Sequence, residues 1–427
     1  MIEVSLKTTG TPGRLVMSKE RKTTITLFPV DNGDMTLIAL GDAAETKILI
    51  DCNIRAAADD PEDATRDVGK DLRDRLKRDS KGRPYVDAFL QTHPDQDHCR
   101  GISKHFYLGA PSEYPDDEKK DSEKRIFIRE IWSSPLVFRR ASKDNKVSQD
   151  ALDCNAEARR RVKVNRDKKF TGVAEGDRIL VLGEDENGKT DDLGLILVTV
   201  DQLFSKINGS QNMLFQACLL APLPKSDKAE EEELLSKNHS SVILNIDLAD
   251  DVSPRNWRRF LTGGDAEVAI WERLWEKHKK SPSVLAYDMM QTPHHCSWHS
   301  LSYDSWSEKR YQGKVSSTAK SALSQIRHSG TIVATSCPIK DDDNDPPCYG
   351  AKLEYQKIVN GAEGKFYCTG DVPAPLEFVI AEEGWEELGA KKITGAPAIL
   401  TSGMIDAMGA RAAEATAVKK EGNRRYA

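Results

Sequence analysis

The chain has eight cysteines, at 52, 99, 154, 218, 296, 337, 348 and 368, yet no CxxC pair. That excludes a structural zinc knuckle of paired thiolates and gives no sign of a disulfide framework, so the pattern suits a reducing compartment. Aromatic residues are sparse at 7%, and apolar residues in all reach only 38% against 30% charged. This balance predicts a globular core carrying polar insertions rather than a disordered chain. No apolar run approaches the ~20 residues that cross a bilayer, and the N-terminus lacks the signal-peptide pattern. The expectation is a soluble cytoplasmic protein with no membrane partner. Nor is there an excess of positive charge. The net charge of −6 argues against a generic polyanion-coating protein, although it leaves room for a local basic groove. No repeat at fixed period runs through the 427 residues, a length that alone suggests two or three domains.

Histidine is scarce and unevenly spread. Five of the nine, His93, His98, His294, His295 and His299, fall in two turns that each follow an apolar run. The first turn is Thr92-His93-Pro94-Asp95-Gln96-Asp97-His98-Cys99-Arg100-Gly101, directly after Val86-Asp87-Ala88-Phe89-Leu90. A strand delivering its side chains into a tight polar turn can aim His93, Asp95, Asp97 and His98 at one small volume. Imidazole nitrogen with carboxylate oxygen is the donor set of a catalytic Zn²⁺ or Mn²⁺ site. The second turn, Thr292-Pro293-His294-His295-Cys296-Ser297-Trp298-His299, follows the run Val284 to Met290. Between the two, Asp265 ends the run Phe260-Leu261-Thr262 beside two glycines that let backbone approach closely. One convergent site is a more economical reading than three separate accidents.

Around these turns the chain alternates strand and helix patterns. Residues 23–50 hold three β-rich runs broken by Asp31-Asn32-Gly33-Asp34 and Gly41-Asp42, an antiparallel meander whose last strand ends on Asp51. Residues 61–79 are charged, with Val68, Leu72 and Leu76 spaced for one helical face. Further strands are expected at 85–90, 126–132, 178–182, 193–200, 238–246, 284–290, 331–335 and 364–368. Helices are expected over 266–279 and 351–360. The segment from Asn155 to Lys169 is basic and contains Arg159, Arg160, Arg161 and Lys163. It reads either as a solvated helix face or as an attraction for a phosphate backbone. The glutamate-rich stretch from Lys225 to Lys237 reads as a surface loop, and the Ala-rich, then basic, end as a helical or flexible tail.

In order, His93-x-Asp95-x-Asp97-His98, a later Gly-Asp and a still later His-His resemble the metallo-β-lactamase-fold hydrolases. Phe28 to Asp34, Leu49-Ile50-Asp51, Asn238 to Leu244, Leu261 to Asp265 and His294-His295-Cys296-Ser297 are similar to the ComEC-type branch, the nuclease-like domain of DNA-uptake proteins, without its membrane channel. The likeness covers about residues 23–105 and 176–380. Cys296 stands where that branch carries glycine, Gly263-Gly264-Asp265 has one glycine more, and Pro347 to Ala351 lacks the branch's His-Pro.

The resemblance implies an α+β fold, a four-layered αβ/βα sandwich over residues 1–390 with a polar and basic insertion at about 106–175, followed by the tail 391–427. It implies two divalent ions, zinc or manganese with magnesium as a further option, which share a hydroxide. His93 and Asp95 would hold one, Asp97 and His98 the other, and Asp265 would bridge them, with His294 or His295 completing the second. Asp97, His98 and Asp265 are the catalytic candidates, Asp51 and Asp34 would orient ligands, and His239 and His299 are further candidates. The implied activity is a metal-dependent phosphodiesterase or nuclease on DNA or RNA. Two alternatives come from other classes. One is a hydrolase of a small substrate (cyclic nucleotide, phosphonate or lactone) with 106–175 as a lid. The other is a partner-activated sensor or effector subunit of a defence-type complex.

Overall fold

The computed structural model describes residues 21–137, 147–224, 235, 238–250 and 253–389. Sixteen strands make up most of two large sheets. The first half of the chain supplies β1 (Thr24–Leu27), β2 (Thr36–Ala39), β3 (Lys47–Ile50), β4 (Pro84–Leu90), β5 (Ile126–Ser133), β6 (Arg178–Leu182) and β7 (Leu197–Val198). The second half supplies β8 (Leu203–Phe204), β9 (Phe215–Ala221), β10 (Ile243–Asp250), β11 (Ser253–Leu261), β12 (Tyr287–Gln291), β13 (Ile326–Ala334), β14 (Lys365–Cys368), β15 (Leu376–Ala381) and β16 (Gly384–Glu387). The first sheet runs β7-β6-β5-β4-β3-β2-β1-β15-β16, and the second runs β8-β9-β10-β11-β12-β13-β14. The meander β1–β3 is antiparallel, as its alternation and turn residues predict, whereas β3, β4, β5 and β6 are parallel. In the second sheet β11, β12, β13 and β14 are likewise parallel.

Parallel neighbours need a crossover, and helices supply most of them. These are α1 (Val68–Arg75), α2 (Gln149–Asp167), α3 (Val268–His278), α4 (Ser317–Leu323) and α5 (Tyr349–Gly361). Their starts are fixed locally. The side chains of Asp67, Ser148 and Ser316 accept from Lys70 N, Ala151 N and Ala319 N, closing one orphan donor each.

Side-chain alternation along the strands sorts the interior into layers. Ile48, Ile50, Ala88 and Leu90 of the first sheet share a core with Leu244, Ile246, Phe260, Met289 and Val333 of the second. Their neighbours in sequence point the other way. Leu49 and Phe89 join Val68, Leu72, Ala151 and Cys154 beneath α1 and α2. Leu261 and Met290 join Trp271, Leu274, Ala322 and Tyr355 beneath α3, α4 and α5. The layers are therefore helices, sheet, sheet, helices, and the protein is a mixed α+β structure. Among the described residues no helix is long and apolar enough to cross a membrane.

Several sequence expectations shift. The resemblance sets 106–175 apart as a polar and basic insertion. Instead it contributes β5, hydrogen-bonded between β4 and β6, and α2, whose Ala151 and Cys154 are buried against them. The run 126–132, five of whose seven residues are apolar, reads as a strand from the sequence; its pairing between β4 and β6 is what makes that strand central. The strand expected at 193–200 shrinks to Leu197–Val198, after a 3₁₀ turn at Asp191–Leu193. The strand expected from 238 begins at Ile243, because Asn238–Ser240 forms a 3₁₀ turn. The chain divides after Leu388. The tail, and all of the glutamate-rich stretch except Leu235, lie outside the described residues.

Candidate metal centre

In both sheets the parallel strands end at one edge, and their carboxyl-terminal turns carry the polar residues, the usual place for a site in such sheets. The turn after β4 brings His93, Asp95, Asp97 and His98; the turn after β11 brings Asp265; the turn after β12 brings His294 and His295. Thr92 O accepts from Val242 N at 2.9 Å, so the two sheets are tied together beside the centre. Gly264 has φ +46°, and a Cβ there would lie 3.0 Å from Ser241 Cβ and 3.2 Å from Thr92 Cβ. The extra glycine noted in the sequence lets the Asp265 turn pass between the sheets.

Asp265 stands at the middle of the cluster. Its Oδ1 lies 3.0 Å from His98 Nε2 and 3.4 Å from His295 Nε2, and the latter is also 3.2 Å from Asp97 Oδ2. Its Oδ2 lies 3.2 Å from His93 Nε2 and 3.8 Å from His294 Nε2, while Asp95 Oδ2 is 3.8 Å from His93 Nε2. Two donor groups result, each close enough to hold a metal ion: His93, Asp95 and Asp265 on one side, and His98, Asp265, His295 and Asp34 on the other. The sequence had left open whether His294 or His295 belongs with Asp97 and His98; His295 is brought to them, and His294 faces the other oxygen of Asp265.

The imidazoles are held by a second set of carboxylates. His98 Nδ1 lies 2.7 Å from Asp51 Oδ2, and Asp51 in turn accepts from Thr92 N at 2.7 Å and Thr92 Oγ1 at 2.5 Å. His295 Nδ1 lies 3.2 Å from Thr335 O and 3.3 Å from Asp34 Oδ1, which accepts from Thr335 Oγ1 at 2.6 Å. A proton held at each Nδ1 leaves Nε2 with its lone pair toward the centre, the tautomer a metal ligand needs. Asp34 is within ligand reach, yet its contacts are to the Nδ1 edge of His295, so it orients that ring. Asp51 and Asp34 thus stand against the Nδ1 atoms of His98 and His295. Thr335 was missed; it directly follows β13, as other residues of the centre follow their strands, but its residue type alone does not point to a site.

The fit to a metal ion rests on unmet needs inside this cluster. His93 Nε2 and Asp265 Oδ1 are buried and make no hydrogen bond of acceptable geometry, an expensive condition that a shared cation removes. Burial pushes the Asp265 carboxyl up, but the imidazoles of His98, His295 and His93 outweigh it and hold it well below the usual carboxylate range. Burial pushes the His98 imidazole down, and Asp265 and Asp51 reverse this and hold it well above its usual value; Asp265 and Asp34 do the same for His295. Asp97 is likewise kept ionised: burial raises it, and His295 and His98 lower it further. The centre is a place where positive charge is stable, as protons or as a metal. It is also open on one side, since the Asp97 side chain is 30% exposed while His93 and His98 are 0% exposed.

The remaining candidates lie elsewhere. Cys296, where the resemblance had glycine, keeps a left-handed backbone at φ 68°, continuous with His294 and His295, both at φ 51°. Its side chain does not join the metal donors but is buried in the core under α3 and α5. Arg161 is buried in α2; its guanidinium pairs with Glu157 at 2.7 Å and donates to the carbonyls of Ile128 and Arg178. It cannot meet a polyanion. Arg160 pairs with Glu157 and Asp177. Arg159 and Lys163 face a cleft of about 760 Å³ beside Ser133 and Ser134 at the end of β5. His239 Nε2 faces Glu267 Oε2 at 3.6 Å, and His299 faces Asp345 at 3.9 Å; neither is among the donor groups. No protein-family model matches this chain, and no curated protein matches it.

Proposed function

We propose that the protein is a metal-dependent phosphodiesterase of the metallo-β-lactamase fold, acting on DNA or RNA with two divalent ions. The observation that carries this reading is Asp265, whose two carboxylate oxygens each face a separate donor group. His93, Asp95 and His294 would hold one ion, and Asp97, His98 and His295 the other, with Asp265 common to both. The mix of three carboxylates with imidazoles suits Mn²⁺ or Zn²⁺. Bound divalent ions would supply Lewis-acid polarisation of a phosphoryl oxygen and water acidified to near neutral pH. The chain's own residues do the rest. Asp51 and Asp34 fix the rings of His98 and His295, and Asp97 and His294 stand at the open side, where a phosphate can approach. Arg159 and Lys163, on the cleft at the end of β5, give a polymer two cations on the edge of the sheet that carries the centre.

A small-substrate hydrolase is the second reading. It is favoured by one observation: Arg160 and Arg161 are tied up by internal carboxylates, which leaves less of a basic track than the sequence promised. Mn²⁺-dependent cleavage of single- and double-stranded DNA, set beside cyclic nucleotides and bis(p-nitrophenyl) phosphate, separates the two. Cleavage of the polymer, abolished in Asp97→Ala, is the expected result. Turnover of small esters alone would move the assignment to the second reading, and wild-type activity retained in Asp97→Ala would remove the centre from the chemistry.

A further inference from the structure

His239 and His299 share a second cleft, of about 560 Å³, with Glu267, Glu272, Arg273 and Tyr303. Glu267 connects that cleft to the metal centre. Its Oε2 lies 3.6 Å from His239 Nε2, and its Oε1 accepts from Asn238 Nδ2 at 3.0 Å and lies 4.0 Å from His294 Nδ1. His294 Nδ1 is buried without a hydrogen-bond partner, and its Nε2 faces Asp265. One carboxylate therefore separates an imidazole of the cleft from an imidazole of the centre.

We propose that this cleft receives the leaving group of the substrate and that His239, oriented by Glu267, protonates the leaving oxygen. The proposal rests on the phosphodiester reading above. The cleft has the size of sites that hold one small molecule, and a nucleoside fits that class. Tyr303 is 66% exposed and its hydroxyl is fixed on Glu272 Oε2 at 2.8 Å, so a ring face is held out for stacking. The carboxylates Glu267, Glu272 and Glu276 on the lining disfavour a second phosphate there and suit the neutral sugar and base. In the reaction the water oxygen forms the new P–O bond and the P–O bond to the sugar breaks. The electron pair stays on the sugar oxygen, which takes the proton from the His239 imidazolium. The proton released by the attacking water, passed through solvent, restores it.

The test compares two probes on the full chain with Mn²⁺. Bis(p-nitrophenyl) phosphate releases a phenolate that needs no proton, whereas an oligothymidylate releases a sugar alkoxide that does. In His239→Ala the ratio of oligothymidylate to aryl-ester rates should fall by about 10²–10⁴-fold, the usual contribution of a general acid. Metal content should match the wild type. Equal losses on both probes, no loss on either, or a lower metal content would overturn the assignment. Tyr303→Ala, at an exposed position, should raise KM for the oligothymidylate several-fold with kcat little changed, and an unchanged KM would overturn the subsite. Wild-type inactivity on both probes would instead remove the phosphodiester reading, and this inference with it.

Discussion

The candidate metal centre and helix α2 are both rich in charge, and they handle it in opposite ways. Along α2 four cations find a carboxylate: Arg160 and Arg161 share Glu157, Lys163 takes Asp167, and Arg166 takes Asp192. Their charge is met within the protein, and Arg159 faces the cleft at the end of β5. In the centre the count does not close, because His93 Nε2 and Asp265 Oδ1 are buried without a hydrogen bond of acceptable geometry, while neighbouring imidazoles and carboxylates force one another into their charged forms. A ligand is expected where buried polar groups remain unmet, and charge density alone does not mark such a place.

Four changes would set the two regions apart. The largest effect is expected from Asp265→Asn, which removes the oxygen charge shared by both donor groups. Bound metal, by elemental analysis, should be lost, and Mn²⁺-dependent hydrolysis should fall by at least about 10³-fold, the upper range for losing one preorganised electrostatic group. Retained metal would mean the centre is as self-contained as α2. Next comes Arg161→Ala, which takes the buried guanidinium from Glu157 and from the carbonyls of Ile128 and Arg178, leaving Arg160 as the partner of Glu157. Urea unfolding should show a loss of about 3–5 kcal/mol, typical for breaking a buried pair, with metal content unchanged. A variant that is stable but poor at binding DNA would reverse the roles given to the two regions.

Asp51→Asn keeps the shape beside His98 but weakens its hold on Nδ1. Metal affinity, by competition with a chelator, should drop about 10–100-fold, and no change would make Asp51 a mere loop cap. The smallest effect concerns pH. The His98 and His295 imidazoles are held above their ordinary value, so their contribution to the metal-free fold is complete below about pH 6.5 and is lost as pH climbs through the raised values. A divalent ion must displace those protons. The rise in Tm on adding Mn²⁺ should therefore widen by a few degrees between about pH 6 and about pH 8, and a constant shift would mean that protons do not compete for the centre.

The sequence made the centre legible because its donors sit at strand ends, where local pattern and chemistry coincide. His93 to His98, Asp265 and the 294–295 pair could all be named from such positions. Thr335 could not, since a threonine after a β-rich run carries no chemical signal until a histidine from another turn rests against it. Asp95 and Asp97 were read together, but which ion each would face depends on the two sides of Asp265, a three-dimensional fact. The place of segment 106–175 in the sheet was not legible for a different reason. Its strand 126–133 was itself legible from Ile126-Phe127-Ile128 and Ile131-Trp132, but only its register between β4 and β6 shows that it is central. Likewise the basic run of α2 gave no hint of which arginine turns inward; helical phase alone was too weak to single out Arg161.

Each sheet brings only part of the donor set: residues 93–98 come from one, and Asp265 and His295 from the other. Neither sheet alone completes either group, so the centre forms only once the two halves of the chain have docked. An ion held there would act as a clasp across the interface, closing a long loop of the unfolded chain and resisting the parting of the sheets. Uptake of such an ion would then be a late event in assembly. Stripping the ion with a chelator should loosen the molecule along this seam first, before either layer of helices leaves its sheet.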